Sequence, residues 1–475
     1  MNTATGANMV RRKRGRHSPE NSPSKRRRRS QFECRSRRWV VSSKDSSNCT
    51  GHDCGSPPLE NLSTCYSSKQ KTPQLECPFF GCGVCSRRWV FSSKDCSNCM
   101  GQNSELQDKI VVVSYNILGV ENASNHLDLY SNIPHRLLRW DRRKRLILEE
   151  INNYNASILC FQEVDHFNDL DNLFQNSGFK GIYKARTGEA QDGCAVFWKD
   201  KLFNLLHQED IEFQRFGMRN NVAQLCILEA NHDKKESDAC NLTPMEPSTG
   251  KRRFVVGNIH VLFNPNRGDI KLGQVRILLD KAYKLSQKWG NIPVIIAGDL
   301  NSVPQSAIYK FLSSSKLDIQ LHDRRNMSGQ LEIQSNRIFR SQIPDDASIS
   351  MTLSRQLLYR WSVEELRLAT GAKGITHLQH QLKLRSAYSG VPGDHKTRDD
   401  IGEPLATSYH SKFMGTVDYI WHSDDLVPLR VLETLPIDIL RRSGGLPSEK
   451  WGSDHLAVVC ELAFSKQQQC MRSEP

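Results

Sequence analysis

Apolar runs alternate with amphipathic stretches from residue 109 to about residue 464. Short runs rich in β-branched and aromatic residues are typical of buried strands, and apolar residues at helical spacing are typical of helices. A strand, a helix and a strand open this series, which predicts an α/β sandwich. The predicted strands are 110–116, 156–161, 193–198, 222–228, 254–260, 294–297, 415–421 and 453–460, and the predicted helices are 140–153, 269–289 and 354–368.

The most informative run is 294–297, four apolar residues that lead into Gly298-Asp299-Leu300-Asn301-Ser302. An uninterrupted run of this kind predicts a strand that is buried on both faces. Because side chains alternate along an extended backbone, Asp299 and Asn301 are expected to project to the same side of the strand end. This arrangement would suit a metal-bound phosphate, although a turn that only caps the next segment has the same composition.

Other predicted strands also have polar side chains at or beside their ends. Several carboxylates, amides and imidazoles at one edge would be costly to bury without a cation or a substrate. Oxygen ligands select Mg²⁺, with Mn²⁺ as a possible substitute, and a metal with a water-orienting base is what phosphodiester hydrolysis requires. The residues at these ends are Asn116, Glu163, His260, Asp299, Asn301, Asp418, Asp454 and His455.

Changes in composition divide the chain into regions. The alternating pattern assigns 1–107 to an N-terminal extension, 108–464 to the main domain and 465–475 to a tail. A polar stretch at about 313–383 interrupts the succession of strands, which predicts an insertion. We find no apolar run long enough for a membrane span and no apolar segment of the kind that follows the basic start of a secretory signal.

The extension carries most of the net charge of +13, with basic runs at 11–14 and 25–29. Like charges at this density oppose a packed core, so the extension is predicted to be mostly disordered. The paired runs favour a nuclear-import signal and thus a protein of the nucleus and cytoplasm. An arm that contacts RNA and a merely solvated tail are the alternatives.

A repeat lies within the extension, because residues 36–49 recur with few changes at 86–99. Two CxxC pairs within residues 77–99 frame the second copy, and their spacing is compatible with a zinc ribbon. The first copy keeps only Cys49 of these cysteines, which favours a loosely ordered, cysteine-rich segment. Zinc therefore stays an open alternative.

The strand-end residues lie in short motifs that resemble, in the same order, those of the endonuclease/exonuclease/phosphatase superfamily. Within it, the chain resembles the carbon catabolite repressor 4-like deadenylases of the plant homolog type, through His260 and the segments around Pro265 and Phe413. The five motifs are Ser-Tyr-Asn116-Ile-Leu, Phe-Gln-Glu163-Val-Asp, Gly-Asp299-Leu-Asn301-Ser, Val-Asp418-Tyr-Ile and Ser-Asp454-His455-Leu.

The resemblance implies a two-layer α/β sandwich and a Mg²⁺-dependent 3′–5′ exoribonuclease that shortens the poly(A) tails of mRNA and releases 5′-AMP. It implies that Glu163 holds Mg²⁺ and that Asp454 supports the metal or an imidazole. Asp299 would orient or deprotonate the attacking water, and Asn116 and Asn301 would steady the scissile phosphate.

The same resemblance implies that His455 donates to the phosphate in the transition state while Asp418 fixes its tautomer. His260 would contact phosphate. Pro265 and Phe413 would wall the base pocket by stacking and apolar contact, which is a sequence-tolerant way to hold single-stranded RNA.

Two features leave the function open. The leucine-rich repeat that docks founding members onto a deadenylase complex is absent from this sequence, so poly(A) RNA is the expected partner and complex membership is in doubt. The shared motifs also allow another phosphodiesterase or phosphatase, with 2′,5′-oligoadenylate, abasic DNA or a dinucleotide as substrate. A non-catalytic RNA-binding scaffold is a third possibility, although none of the motif residues is lost.

Overall fold

Two β-sheets stack face to face in this chain, and helices cover their outer faces. The structure is a computed structural model and describes residues 87–92, 109–231, 252–330 and 361–465. The strands are β1 (Trp89–Phe91), β2 (Lys109–Asn116), β3 (Ile158–Gln162), β4 (Phe179–Ala185), β5 (Gly193–Lys199), β6 (Phe203–Glu212), β7 (Val222–Ala230), β8 (Arg253–His260), β9 (Val294–Asp299), β10 (Lys316–Asp318), β11 (His377–Gln379), β12 (Leu384–Ser386), β13 (Ser408–His410), β14 (Phe413–Gly415), β15 (Asp418–Ser423), β16 (Leu426–Leu432) and β17 (Val458–Phe464).

Helices occupy the connections between these strands. In the described ranges, no helix combines the length and the apolar character that crossing a membrane requires. The helices are α1 (Val120–Asn125), α2 (His135–Leu138), α3 (Trp140–Asn152), α4 (Phe167–Gln175), α5 (Gly268–Lys288), α6 (Ala307–Ser314), α7 (Val363–Thr370) and α8 (Ile437–Ser443).

The strand order brings four strand ends to one edge of the sandwich. The first sheet runs β1-β16-β17-β2-β3-β5-β4 and the second runs β12-β15-β9-β8-β7-β6. β2 and β3 are parallel, and so are β8 and β9, with helical crossovers between the members of each pair. Parallel strands end at the same edge, so Asn116 pairs with Gln162 and His260 pairs with Asp299 at their termini.

The main core fills the space between the sheets. Val112 and Cys160 from the first sheet meet Val256 and Ile295 from the second in one buried cluster. Helices α3 and α4 bury a second cluster against the first sheet, and α5 and α6 bury a third against the other. Both faces of the central strands are therefore covered, which explains their uninterrupted apolar runs. The prediction of an α/β sandwich is confirmed, and its two layers are sheets.

Two predicted strands differ from the structure near their polar residues. The predicted strand 415–421 is interrupted, because the hydroxyl of Thr407 accepts hydrogen bonds from the main-chain N–H groups of Val417 and Asp418 in place of a strand partner. The segment 453–457, predicted as part of a strand, is a loop that precedes β17. Its residue Leu456 donates a main-chain hydrogen bond to the carbonyl of Thr407 at 2.7 Å.

The described parts of the predicted insertion are integral to the domain. Leu317, Met327 and Leu368 are buried in the cluster around α5. The predicted helix 354–368 is represented by α7, which begins after Ser362 because this residue forms a capping box with Glu365. Residues 331–360 lie outside the described residues.

The predicted N-terminal extension contributes one strand to the first sheet. β1 comes from the second copy of the repeat and pairs antiparallel with β16. The predicted boundary near residue 107 therefore leaves out a strand that belongs to this sheet. The basic runs, the first repeat copy and both CxxC pairs lie outside the described residues.

Arg87 fixes this strand through a buried ion pair. Its guanidinium lies 3.2 Å from Glu150 Oε1, and the two side chains are only 2% and 5% exposed. Further donors of Arg87 reach the hydroxyl of Tyr154 at 2.9 Å and the carbonyls of Glu433 and Ala457 at 2.8 and 2.6 Å. A buried charge with this many partners is costly to leave unpaired.

We predict that Arg87→Gln lowers the free energy of unfolding of the full chain by about 3 kcal/mol, because Glu150 would stay buried without its cation. The neighbouring Arg88 is a matched control, because its side chain is 68% exposed and its nearest acidic partner, Asp394, is 4.0 Å away. Arg88→Gln should cost less than about 0.5 kcal/mol in the same urea titration. Equal losses in the two variants would contradict the role assigned to Arg87.

Candidate active site

The candidate site lies where the two sheets meet at their shared edge. Asn116 ends β2 in the first sheet and Asp299 ends β9 in the second. Asn116 Nδ2 donates to Asp299 Oδ2 at 3.1 Å and to Glu163 Oε1 at 3.0 Å. One amide therefore joins two carboxylates from opposite sheets.

Glu163 is held by donors from the loop and the helix that follow β2. It follows β3 directly and has a left-handed backbone with φ of 58°. Its Oε2 accepts the main-chain N–H of Gly119 at 3.0 Å and Nδ2 of Asn122 at 2.8 Å. Burial alone would raise the pKa of Glu163, but His260 and these donors outweigh it, so the pKa lies below its ordinary value.

Asp299 sits at the centre of the site. Its Oδ1 accepts the main-chain N–H of Asn301 at 2.8 Å, and Nε2 of His260 lies 3.6 Å from Oδ2. Burial, reinforced by the charge of Asp418, raises the pKa of Asp299 to about 7. The preceding Gly298 permits this close packing, because a Cβ there would lie 2.1 Å from the carbonyl oxygen of Ile259.

Asn301 and His260 form the side of the site that belongs to the second sheet. Asn301 has a left-handed backbone with φ of 45°, and its Nδ2 donates to the carbonyl of Val261 at 3.0 Å. The same Nδ2 lies 3.3 Å from His260 Nε2. Burial lowers the pKa of His260 to about 4, and the charge of Arg186 contributes to this shift. His260 is therefore neutral near pH 7.

His455 and Asp418 form a hydrogen-bonded dyad opposite His260. His455 Nδ1 lies 2.8 Å from Asp418 Oδ2, and the Thr407 hydroxyl donates to the same oxygen at 2.6 Å. His455 Nε2 is left facing Asp299 Oδ2 at 3.9 Å. Burial opposes protonation of His455, but Asp418, Asp454 and Asp299 outweigh it and hold its pKa well above the ordinary value.

Asp454 lies beside the dyad, and its carboxylate is already bonded. Tyr130 donates its hydroxyl to Asp454 Oδ2 at 2.9 Å. Burial raises the pKa of Asp454, and the charge of Glu163 adds to the effect. In its ionised form Asp454 favours protonation of His455. Its support of a metal ion stays a prediction.

The donor set fits a hard divalent cation. One ligand atom each from Asp299, Asp418 and His455 lies within 4.8 Å of the others, so these three could hold a metal. The His455–Asp418 hydrogen bond already uses the ring Nδ1 and the carboxylate Oδ2, however. Asp299 and Glu163, which share the Asn116 donor, are therefore the residues that would hold a cation. Its charge would favour the ionised form of Asp299, whose pKa is raised by burial and by the charge of Asp418.

The two predicted base-pocket residues lie on separate elements. Pro265 is half-buried in the loop that follows β8. Phe413 is half-buried at the start of β14. Its ring lies close to Gly415, where a Cβ would be only 2.9 Å from Phe413 Cζ. The β13–β14 hairpin is anchored to the site by a bridge between Ser408 and His455. The substrate roles of both residues stay predictions.

Several residues that position the site were missed in the sequence. Asn122 and Thr407 donate directly to Glu163 and Asp418, and nothing in their local sequence marks them. Arg143 is buried and donates to the carbonyls of Ile117 and Leu118, both at 2.8 Å, which fixes the turn after β2. One sequence feature could have identified Arg143: it occupies a position of helix α3 that faces the core, where arginine is rare.

Comparisons with known proteins show which family the chain belongs to. The Endonuclease/Exonuclease/phosphatase family model matches residues 113–455. Carbon catabolite repressor protein 4 homolog 5 of Arabidopsis thaliana is 65% identical over 360 residues, which cover 76% of this chain and 78% of that protein. Homolog 3 from the same plant is 48% identical over 361 residues, which cover 76% of each chain.

A solved structure extends the likeness to the fold. The crystal structure of ANGEL2, described as a 2′,3′-cyclic phosphatase in complex with adenosine-2′,3′-vanadate, matches with a TM-score of 0.61 and 30% identity. The match covers 80% of this chain and 99% of the ANGEL2 chain. This chain is therefore a member of the endonuclease/exonuclease/phosphatase family, in its carbon catabolite repressor 4-like branch.

Proposed function

We propose that this protein is a Mg²⁺-dependent 3′–5′ exoribonuclease that shortens poly(A) tails and releases 5′-AMP. The observation that carries the proposal is the joining of Glu163 and Asp299 by Asn116 directly opposite the His455–Asp418 dyad. This set provides a metal site, a water-orienting carboxylate and a hydrogen-bond donor around one point, as phosphodiester hydrolysis requires. Its likeness to two carbon catabolite repressor 4 homologs supports RNA as the substrate.

Each side chain has a role that its surroundings favour. Glu163, assisted by Asp299, would hold Mg²⁺, which neutralises phosphate charge when bound. Asp299 would orient the attacking water. Asn301 would donate to a phosphate oxygen, with His260 beside it. Asn116, whose two N–H groups bond Glu163 and Asp299, would steady the phosphate by fixing these two carboxylates.

His455 would donate from Nε2 to a phosphate oxygen, because Asp418 accepts from Nδ1 and fixes the ring. Its raised pKa favours the protonated donor near neutral pH. Asp454 adds charge behind the ring, and Pro265 and Phe413 would wall the adenine pocket.

A second candidate is the removal of 2′,3′-cyclic phosphate from RNA ends. The likeness to the ANGEL2 structure favours it, since that protein is described as a 2′,3′-cyclic phosphatase. Both reactions place a phosphorus atom next to an adenosine ribose, so the same constellation would serve either. A scaffold without activity is disfavoured by the complete set of motif residues, and location in the nucleus and cytoplasm stays a prediction.

The full chain with Mg²⁺ should shorten a 5′-labelled RNA one nucleotide at a time from an adenylate tail. RNAs that end in other bases should be cut far more slowly, and 5′-AMP should be the released product. Glu163→Gln should abolish the ladder. A time course on a denaturing gel resolves every step.

Three other outcomes would replace the proposal. Equal cleavage of all tails would indicate a general 3′ exonuclease. Loss of a terminal 2′,3′-cyclic phosphate without shortening would establish the second candidate. No reaction by a protein with a cooperative unfolding transition would point to the scaffold.

Mg²⁺ should stabilise the protein in a pH-dependent way. At about 100 times its Kd, Mg²⁺ should raise the free energy of unfolding by about 2–3 kcal/mol. The pKa of Asp299 is raised to about 7, so protons occupy this carboxyl below that pH and compete with the cation. Thermal unfolding should therefore show a larger Mg²⁺ shift at about pH 8 than at about pH 6, and Glu163→Gln should remove most of it. An equal shift at both pH values would contradict this assignment.

Asp418→Asn should lower kcat by about 10²–10⁴-fold, because His455 would lose the acceptor that orients it. The carboxylate also raises the pKa of His455, so the alkaline limb of the pH–rate profile should move to lower pH in the variant. Asp424→Asn is a matched control, since Asp424 follows the far end of β15 and pairs with Arg385 at 3.0 Å. A reduced kcat with an unmoved alkaline limb would assign Asp418 a purely structural role.

A further inference from the structure

A cavity lined by three arginines lies beside the candidate active site. Its volume is about 290 Å³, and Arg186, Arg219 and Arg267 line it together with three asparagines and Leu262. No acidic side chain is among these lining residues. The cavity therefore presents hydrogen-bond donors and positive charge, which is the chemistry of an anion site.

The three arginines are not equally neutralised. Arg186 lies 3.1 Å from Asp192, and Arg267 lies 2.7 Å from Asp269, and neither of these carboxylates lines the cavity. Arg219 is exposed and has no ion-pair partner within the described residues. The cavity thus keeps net positive charge, and the two paired arginines are fixed in place by buried acids.

A hydrogen bond joins one wall of the cavity to the main chain of His260 in the candidate active site. Asn221 lines the cavity, and its Nδ2 donates to the carbonyl of His260 at 3.1 Å. Leu262 and Asn264, two and four residues beyond His260, line it as well. An anion held there would lie next to a phosphate held by His260 and Asn301.

The loop after β8 links this cavity to the predicted base pocket. Its Leu262 and Asn264 line the cavity, and its next residue is Pro265. Between the two lining residues, Phe263 is 50% exposed, and its ring lies 6.2 Å from that of His126. An exposed aromatic ring beside an anion site can stack a base while the arginines hold its backbone.

We propose that the arginine cavity binds the backbone phosphate of the RNA strand that lies immediately 5′ of the scissile bond. The inference rests on the proposed function and extends it to a second phosphate. Guanidinium groups pair with the non-bridging oxygens of phosphate in a planar, two-point geometry, which suits a fixed backbone subsite. The enzyme would then hold two consecutive phosphates and favour a strand over a single nucleotide.

The test uses Arg219→Gln in the full chain, because Arg219 is exposed and its loss removes no ion pair of the described residues. Arg385→Gln is the matched control. Arg385 is 73% exposed on β12, which pairs with the end of β15 that is remote from Asp418. Both variants lose one surface charge.

The substrates are three short 5′-labelled oligoadenylates. The first has an uncharged methylphosphonate in place of the phosphate in the linkage immediately 5′ of the first scissile bond. The second has the same replacement several linkages upstream, and the third is unmodified. For the wild type, neutralising the adjacent linkage should lower kcat/KM for removal of the first adenylate by about tenfold, the size of one charge-assisted contact. The upstream replacement should change it by less than about twofold.

Arg219→Gln should lose about tenfold in kcat/KM on the unmodified strand, mainly through KM, and should no longer respond to the adjacent methylphosphonate. Its dependence of log kcat/KM on log salt should also be shallower by about 0.7. Arg385→Gln should behave as the wild type.

The outcomes separate this inference from the proposed function. If the wild type cuts none of the three strands, the proposed function fails and the inference falls with it. If the wild type cuts all three at similar rates, or if Arg219→Gln responds to the adjacent methylphosphonate as strongly as the wild type, only the phosphate subsite is overturned.

Discussion

The site depends on one shared hydrogen-bond donor. Asn116 Nδ2 joins Glu163 of the first sheet to Asp299 of the second, at 3.0 and 3.1 Å. Two carboxylates that come from different sheets would otherwise repel one another in a buried place. The amide fixes their separation, and its own Oδ1 accepts the N–H of Leu118 at 3.0 Å, so it cannot turn away. The packing of the two sheets is thereby coupled to the geometry of the site.

Buried negative charge dominates the rest of the site. Glu163, Asp299, Asp418 and Asp454 surround two imidazoles, and only His455 gains a raised pKa from them. Asp299 lowers the stability of the folded chain near neutral pH, because burial and the charge of Asp418 raise its pKa in the folded state to about 7, whereas the unfolded chain ionises this carboxyl near its ordinary pKa. Such a cost is usual where side chains are arranged for a ligand rather than for the fold.

The sequence predicts the centre of the site better than its supports. The apolar run of a buried strand stops where the strand ends, so the sequence predicts the position of that end. Such runs precede Asn116, Glu163 and Asp299. Thr407 and Asn122 could not be found in this way, since their roles depend on contacts that only the folded chain creates. The same reason explains why the predicted strand around Asp418 is interrupted, because the Thr407 hydroxyl accepts the main-chain N–H of Asp418 in place of a main-chain carbonyl. The local pattern of apolar and polar residues indicates burial and periodicity. It does not indicate which distant side chain will accept a hydrogen bond from a main-chain N–H group.

The contacts of Arg87 also join distant parts of the described chain. Its contact with the carbonyl of Ala457 joins positions 370 residues apart. At the usual rates of synthesis, Ala457 emerges roughly 20–70 s after Arg87 has been made. Throughout that interval the loop that carries His455 has not been made, and neither has β17, which lies between β16 and β2 in the first sheet. A chain still being synthesised therefore lacks both its imidazole and an inner strand, so it cannot assemble a hydrolytic centre before residue 464 has been made.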